Sequence, residues 1–223
     1  MPREVTLDIE TADSFADVGK YDPTLLHVSL VGVYDSAADQ YLSYVCEYAR
    51  DERGQWLRDE NGRMKLLRDD LSGLWKLLQS ADRVIGYNIL NFDYGVMDRL
   101  YPGGIYPDAR AFKAQKPRFE TIDLLVEIEK ELGFRVKLDD VAAATLGYGK
   151  TGHGLQAIEF FKRGEIDKLR DYCLNDVKVT WEVYEYGLAH GHVKIKDRLG
   201  QLREVKVDFS RQIAPQPVAQ TLF

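Results

Sequence analysis

Val5-Thr6-Leu7-Asp8-Ile9-Glu10-Thr11 stands near the head of the 223-residue chain and alternates apolar with polar side chains. A period of two is that of a β-strand, so Val5, Leu7 and Ile9 share one face and Thr6, Asp8 and Glu10 the other. Two carboxylates side by side on a strand of otherwise apolar character repel each other unless water or a cation lies between them. A solvated edge strand and a cation-holding core strand both satisfy these seven residues. What separates the two lies downstream.

The composition is that of an ordinary globular protein, with 45% hydrophobic and 30% charged residues, and the length allows one sizeable core. No apolar run approaches the ~18 residues of a membrane span, and Met1-Pro2-Arg3-Glu4 opens no signal peptide, so no membrane and a cytoplasmic location are expected. Cys46 and Cys173 are too few and too far apart for a disulfide framework or a zinc site and read as small buried hydrophobes. A net charge of −6 excludes a broad basic coat for nucleic acid. It leaves room for an enzyme that grips a few nucleotides.

Outward from the first strand, 12–22 is a polar loop, 26–34 a second strand, 35–39 a turn and 40–46 a third strand, an antiparallel meander. His27 reads as a satisfied strand residue. Residues 50–65 form a polar excursion with a tight turn at Asn61-Gly62. A helix is expected over 68–80, a strand over 83–88 and a helix over 92–101. The stretch 102–118, with three prolines and two glycines, reads as a loop. Helices follow over 122–132, 138–146, 155–163 and 166–186. Clean alternation over 192–196 and 202–207 predicts a surface β-hairpin, and 210–223 a disordered tail. No internal repeat is read. The expected organisation is a main domain over 1–190, a hairpin appendage over 191–209 and the tail over 210–223. The pattern as a whole gives an α/β class with a mixed sheet.

Two further acids stand out. Asp93 sits where the strand ending near Asn88 turns into a helix, and strand ends are where α/β proteins build their sites. In the last long helix, Leu169, Cys173, Val177, Thr180 and Tyr184 form the apolar stripe, with Tyr172 and Asp176 on or beside it. A carboxylate facing a core is costly unless it is paired or holds a metal.

Asp8-Ile9-Glu10, the Asn88-to-Asp93 turn and Tyr172-x-x-x-Asp176 together resemble the three exonuclease motifs of the DEDD 3′→5′ exonuclease superfamily, which has a ribonuclease H-like fold. The wording Leu-Asp-Ile-Glu-Thr, Gly-Tyr-Asn-Ile-Leu-Asn-Phe-Asp and Asp-Tyr-Cys-Leu-Asn-Asp-Val is closest to the proofreading domains of family-B DNA polymerases. Lys137-Leu-Asp-Asp-Val-Ala is similar to their segment ahead of the third motif, and the resemblance spans roughly 4–187. Asp171 stands where the histidine-type branch carries its His, and Tyr172 matches the tyrosine-type (DEDDy) branch. No polymerase palm or fingers follow, so a free-standing or accessory exonuclease is expected.

The resemblance implies three antiparallel strands plus parallel strands in one sheet flanked by helices, with the C-terminal β-hairpin added to it. It implies two divalent cations, Mg²⁺ or Mn²⁺, held by Asp8, Glu10, Asp93 and Asp176, and cleavage of single-stranded DNA from its 3′ end to nucleoside 5′-monophosphates. Tyr172 would orient the attacking water, because a phenol of ordinary pKa about 10 is a poor base at neutral pH. Thr11, Asn88 and Phe92 are placed to contact the terminal nucleotides, and Lys113, Lys116 and Arg118 to follow the strand's backbone. Gly149-Lys150-Thr151 is no P-loop, since Ala144 occupies the required glycine position; Lys150 is instead expected near a phosphate. Gln216 to Phe223 loosely resembles a sliding-clamp-binding peptide. The alternatives are an RNA-trimming exonuclease of the same fold and a non-catalytic nucleic-acid-binding accessory module.

Overall fold

The structure, a computed structural model, describes residues 2–106, 117–149, 154–197 and 199–210. Lys113, Lys116, Lys150 and the stretch from Gln216 to Phe223 lie outside the described residues. The chain opens with β1 (Glu4–Thr11), a capped turn of helix α1 (Phe15–Val18), then β2 (Val28–Asp35) and β3 (Gln40–Tyr48). β4 (Leu66–Asp69), α2 (Ser72–Ser80), β5 (Arg83–Gly86) and the short α3 (Asp93–Met97) follow. Then come β6 (Thr121–Asp123), α4 (Leu124–Leu132), α5 (Leu138–Thr145), α6 (Gly154–Arg163), α7 (Ile166–His190) and the pair β7 (His192–Lys196) and β8 (Leu202–Lys206).

Among the described residues six strands form one sheet in the order β4-β3-β2-β1-β5-β6. From β1 to β4 each strand is antiparallel to the next, and β5 and β6 run parallel to β1. This is the ribonuclease H-like α/β arrangement expected, with the antiparallel β7–β8 pair as a second, C-terminal sheet. β1 is central, and Val5, Leu7 and Ile9 are buried on its core face. Helix α7 crosses the opposite face, where Thr6, Asp8 and Glu10 project.

That crossing is close. Gly32 of β2 lies opposite Asp8 in register, and a Cβ at Gly32 would come within 2.8 Å of the Cys173 sulfur and 3.2 Å of Leu174 and Val177 on α7. The missing side chain is what lets the helix lie down on the sheet. Gly32→Ala is therefore expected to cost about 1–3 kcal/mol by overpacking. In a thermal melt this appears as a lowered midpoint, and it should come with a loss of any function that uses Asp176.

Several elements differ from expectation. The helix expected from 68 begins only at Ser72, and Arg68 and Asp69 instead close β4, whose four residues are all exposed, so neither face carries the apolar alternation that marks a strand. β6 is only three residues long and runs directly into α4, too short to show a period. The hairpin β7–β8 is present but is not merely a surface feature: Val193, Ile195 and Val205 are buried in one cluster with Leu138, Val141 and Val183, and Phe209 packs over Gly187.

The polar excursion also carries an internal repeat that the composition hid. Arg50-Asp-Glu-Arg-Gly-Gln-Trp-Leu57 is followed by Arg58-Asp-Glu-Asn-Gly-Arg-Met-Lys65. In each copy the Asp side chain accepts two backbone N–H groups, Asp51 from Arg53 and Gln55 and Asp59 from Asn61 and Arg63. Gly54 and Gly62 close the turns at φ +78° and +77°, where glycine is unstrained. The excursion braces the site from outside. Arg50 donates to the Lys162 carbonyl on α6, and Met64 N–H donates to His27 Nε2. The other ring nitrogen of His27 donates to Asp13 at 2.7 Å. His27 is thus satisfied on both sides.

Candidate active site

β1 outruns its parallel neighbour. β5 pairs with Glu4, Val5 and Thr6, so beyond Thr6 no strand among the described residues lies beside the β5-facing edge of β1. Asp93 fills that gap. Its carboxylate accepts the Ile9 N–H, which brings it to the strand between Asp8 and Glu10. Asp93 is 4% exposed, and burial first, then the neighbouring charge of Asp8, pushes its carboxyl well above the usual range.

Asp123 holds Asp93's turn in place. The carboxylate at the end of β6 accepts Asn88 N–H (2.8 Å) and Leu90 N–H (3.1 Å) across the sheet end. The same group caps α4 through Leu125 N–H and Val126 N–H. Burial raises its pKa to about 6 against the pull of those four donors. Asn88 itself sits at φ +67°, a left-handed conformation that Asn tolerates better than most residues, and its side-chain oxygen accepts from Arg135. Tyr87 is tied by its hydroxyl to the Val136 carbonyl.

From the other side α7 presents Tyr172 and Asp176, four residues and about one turn apart. Asp176 is 1% exposed and Tyr172 is 7% exposed. Asp8, Glu10, Asp93, Tyr172 and Asp176 all line one cleft of about 450 Å³, together with Thr11, Asp13, Phe15, Asn88, Phe92 and Ile158. No lysine or arginine lines it among the described residues.

Cys173 stands inside this group. One ligand atom each from Asp8, Glu10 and Cys173 lies within 4.8 Å of the other two. The thiol donates toward the Asp8 carbonyl and carboxylate at 3.5 and 3.8 Å. Burial first, then the charges of Asp8, Glu10 and Asp176, push this thiol well above its usual pKa. A neutral thiol is a weak ligand, and the remaining donors are carboxylate oxygens, the set that suits hard divalent cations. Acids this close are relieved by a proton or by a cation between them, and the carboxylate oxygens present fit a bound hard cation.

Of the expected contact residues, Thr11, Asn88 and Phe92 are in the cleft. Arg118 is not: its guanidinium donates to the carbonyls of Gly104 (2.6 Å) and Gly103 (2.8 Å). These two bonds brace the turn at Gly103 and Gly104. Cys173, Asp123, Phe15 and Asp13 were missed. Asp123 alone carried a signal, an Asp directly before an apolar helical run.

Residues 108–216 match a family described as "Predicted 3'-5' exonuclease related to the exonuclease domain of PolB". That span holds Tyr172 and Asp176, while the acids of β1 and Asp93 lie before it. No curated protein matches the chain. Among solved structures, the family B DNA polymerase from the hyperthermophilic archaeon Pyrobaculum calidifontis is similar, at a TM-score of 0.54 and 20% identity over 84% of this chain and 25% of that one. The likeness is one of fold, and the chain spans about a quarter of that polymerase's length. No helix among the described residues is long and apolar enough to cross a membrane. With the motifs of β1, α3 and α7 gathered in one cleft, the family match and the shared fold support placing the chain in the DEDD exonuclease superfamily, close to the proofreading exonuclease domain of PolB.

Proposed function

We propose that the chain is a tyrosine-type 3′→5′ exonuclease that removes nucleoside 5′-monophosphates from the 3′ end of single-stranded DNA. One observation carries the reading: four carboxylates from three separate elements and one tyrosine share a single cleft. Asp8, Glu10, Asp93 and Asp176 would hold two divalent ions, Mg²⁺ or Mn²⁺. These supply Lewis acidity toward the phosphate and its attacking water.

The chain's own residues do the rest. Tyr172 orients the water in line with the scissile bond. The water oxygen bonds to phosphorus and releases a proton to solvent, the bond from phosphorus to the 3′ oxygen of the preceding nucleotide breaks, and that oxygen takes up a proton from solvent. Thr11 and Asn88 fix the terminal nucleotide, and Phe92 offers its base a ring face.

The test is a 5′-labelled single-stranded oligonucleotide, in DNA and RNA forms, incubated with Mg²⁺, Mn²⁺ or a chelator. A descending ladder on DNA is expected with metal and none with chelator, and Asp8→Ala should remove it. A ladder on RNA alone would shift the substrate to RNA. Binding with no ladder under any metal would leave a non-catalytic accessory module.

A further inference from the structure

We propose that Tyr21 is the outer step of a base-stacking track that leads out of the cleft and receives the third nucleotide from the 3′ end. The inference rests on the reading of the cleft as a site for a single-stranded 3′ end. Three rings follow one another from the site to the surface. Phe92, the residue just before α3, and Phe15, which opens α1, both line the cleft, with ring centroids 6.1 Å apart and planes at 75°. Tyr21 continues from Phe15 at 4.2 Å and 38°.

Tyr21 is 81% exposed. An isolated exposed aromatic means little. Here the ring is held in a row with two others that end among the carboxylates. The backbone around it is fixed at both ends. Ser14 and Asp17 form a reciprocal capping box at the start of α1, and Gly19 ends that helix at φ +71°. Asp22 then accepts the backbone N–H and the hydroxyl of Thr24. A ring presented on a pinned loop binds with little ordering cost.

The charge distribution makes stacking the better grip. The cleft lining is acidic, so phosphates gain nothing from its walls beyond bound metal. Bases offer π faces of any sequence, which suits a trimming enzyme. Beside Tyr21, the Lys20 ammonium lies 3.6 Å from Asp22 at an exposed position. Surface pairs of this kind hold weakly, so the ammonium is free to exchange its acid for a passing phosphate.

The experiment measures kcat/KM on di-, tri- and tetrathymidylate with wild type, Tyr21→Ala and Tyr21→Trp, and binding of a fluorescent oligothymidylate in the presence of Ca²⁺. Leu199→Ala, an exposed apolar residue on the distant hairpin, serves as control. Wild type should gain from the third nucleotide. Tyr21→Ala should lose about tenfold of that gain, within the range that one stacked base contributes, and Tyr21→Trp should keep it. An abasic residue at the third position should cut wild type by the same factor and erase the difference between the two proteins. Equal length dependence in wild type and Tyr21→Ala, or an equal loss in Leu199→Ala, overturns the inference while hydrolysis still stands. If wild type neither binds nor hydrolyses any oligonucleotide, the proposed function and this track fall together.

Discussion

Asp93→Asn is expected to raise the thermal midpoint of the metal-free protein while lowering any exonuclease rate by at least about 10³-fold. The two effects have one cause. Asp93 is buried and faces the charge of Asp8, and both circumstances disfavour its ionised form. An amide keeps the size and an oxygen for the Ile9 N–H but carries no charge. Relief of that conflict should be worth about 1–3 kcal/mol, or about 2–4 °C per kcal/mol in a chain of this size. The same change removes a charge that a divalent ion would need, and three decades of rate correspond to about 4 kcal/mol of lost transition-state stabilisation.

The pH dependence follows from the same carboxyl. Its folded pKa lies above its unfolded one, so in the window between them the folded protein holds a proton that the unfolded chain releases. Stability must then fall as pH rises through that window. Asp123, at about 6, acts in the same direction. These two carboxyls should therefore cost the metal-free protein stability between pH 4 and pH 7, against an opposite contribution from Asp17, Asp22 and Asp35, whose pKa values are lowered, and the advantage of Asp93→Asn over wild type should widen as pH rises. Mg²⁺ or Mn²⁺ should restore stability at pH 7 by binding the folded form. Scanning calorimetry across pH, with and without metal, checks all three statements. An advantage of Asp93→Asn over wild type that stays the same from pH 4 to pH 7 without metal would sink the account of the acid cluster.

The parts of this site that could be read from sequence are those whose residues repeat a period. Alternation in β1 placed Asp8 and Glu10 on one face. The stripe of α7 placed Tyr172 and Asp176 where a charge should not lie without reason. Both patterns extend over at least two periods, so local geometry and burial agree along their length. β6 could not be seen because three residues carry no periodicity. The apolar run Thr121-Ile122-Asp123-Leu124-Leu125 looks the same whether it is a strand's end or a helix's start. Cys173 is the small buried hydrophobe expected, a member of the apolar core on the stripe of α7, but its place beside the acids carries no sequence signal. Only the approach of α7 to β1, permitted by Gly32, shows that this stripe abuts the acids. Arg118 shows another limit: a cation in a polar loop suggests solvent or phosphate, and its bonds to two carbonyls of that loop could not be foreseen. Such pairings depend on the chain path, which no window of sequence contains.

Asp123→Ala is expected to lower stability by about 3 kcal/mol and to cost activity well beyond that. One carboxylate here serves four backbone donors, Asn88 and Leu90 on the turn after β5 and Leu125 and Val126 at the head of α4. Truncation removes a helix cap, worth about 1 kcal/mol. It also leaves two further N–H groups without their acceptor, at about 1–3 kcal/mol each if water cannot reach them. Against this stands relief of a buried charge whose pKa is raised to about 6, which offsets part of the loss but not its whole. The turn so loosened carries Asn88, Phe92 and Asp93, and a displacement of about 1 Å at a reacting centre costs on the order of 10²-fold in rate. Asp123→Asn separates charge from geometry. Its amide oxygen can keep the bonds to Asn88, Leu125 and Val126 that Oδ1 now accepts, while its NH₂ group would face the Leu90 N–H. The Asn variant should accordingly stay within about 1 kcal/mol of wild type and retain most of its hydrolysis, with KM for oligonucleotides shifted more than kcat. Denaturant melts of the two variants, set beside their rates on a labelled oligonucleotide, decide the matter. If Ala and Asn prove equally stable and equally active, the four hydrogen bonds do not position the turn, and Asp93 must owe its place to packing alone.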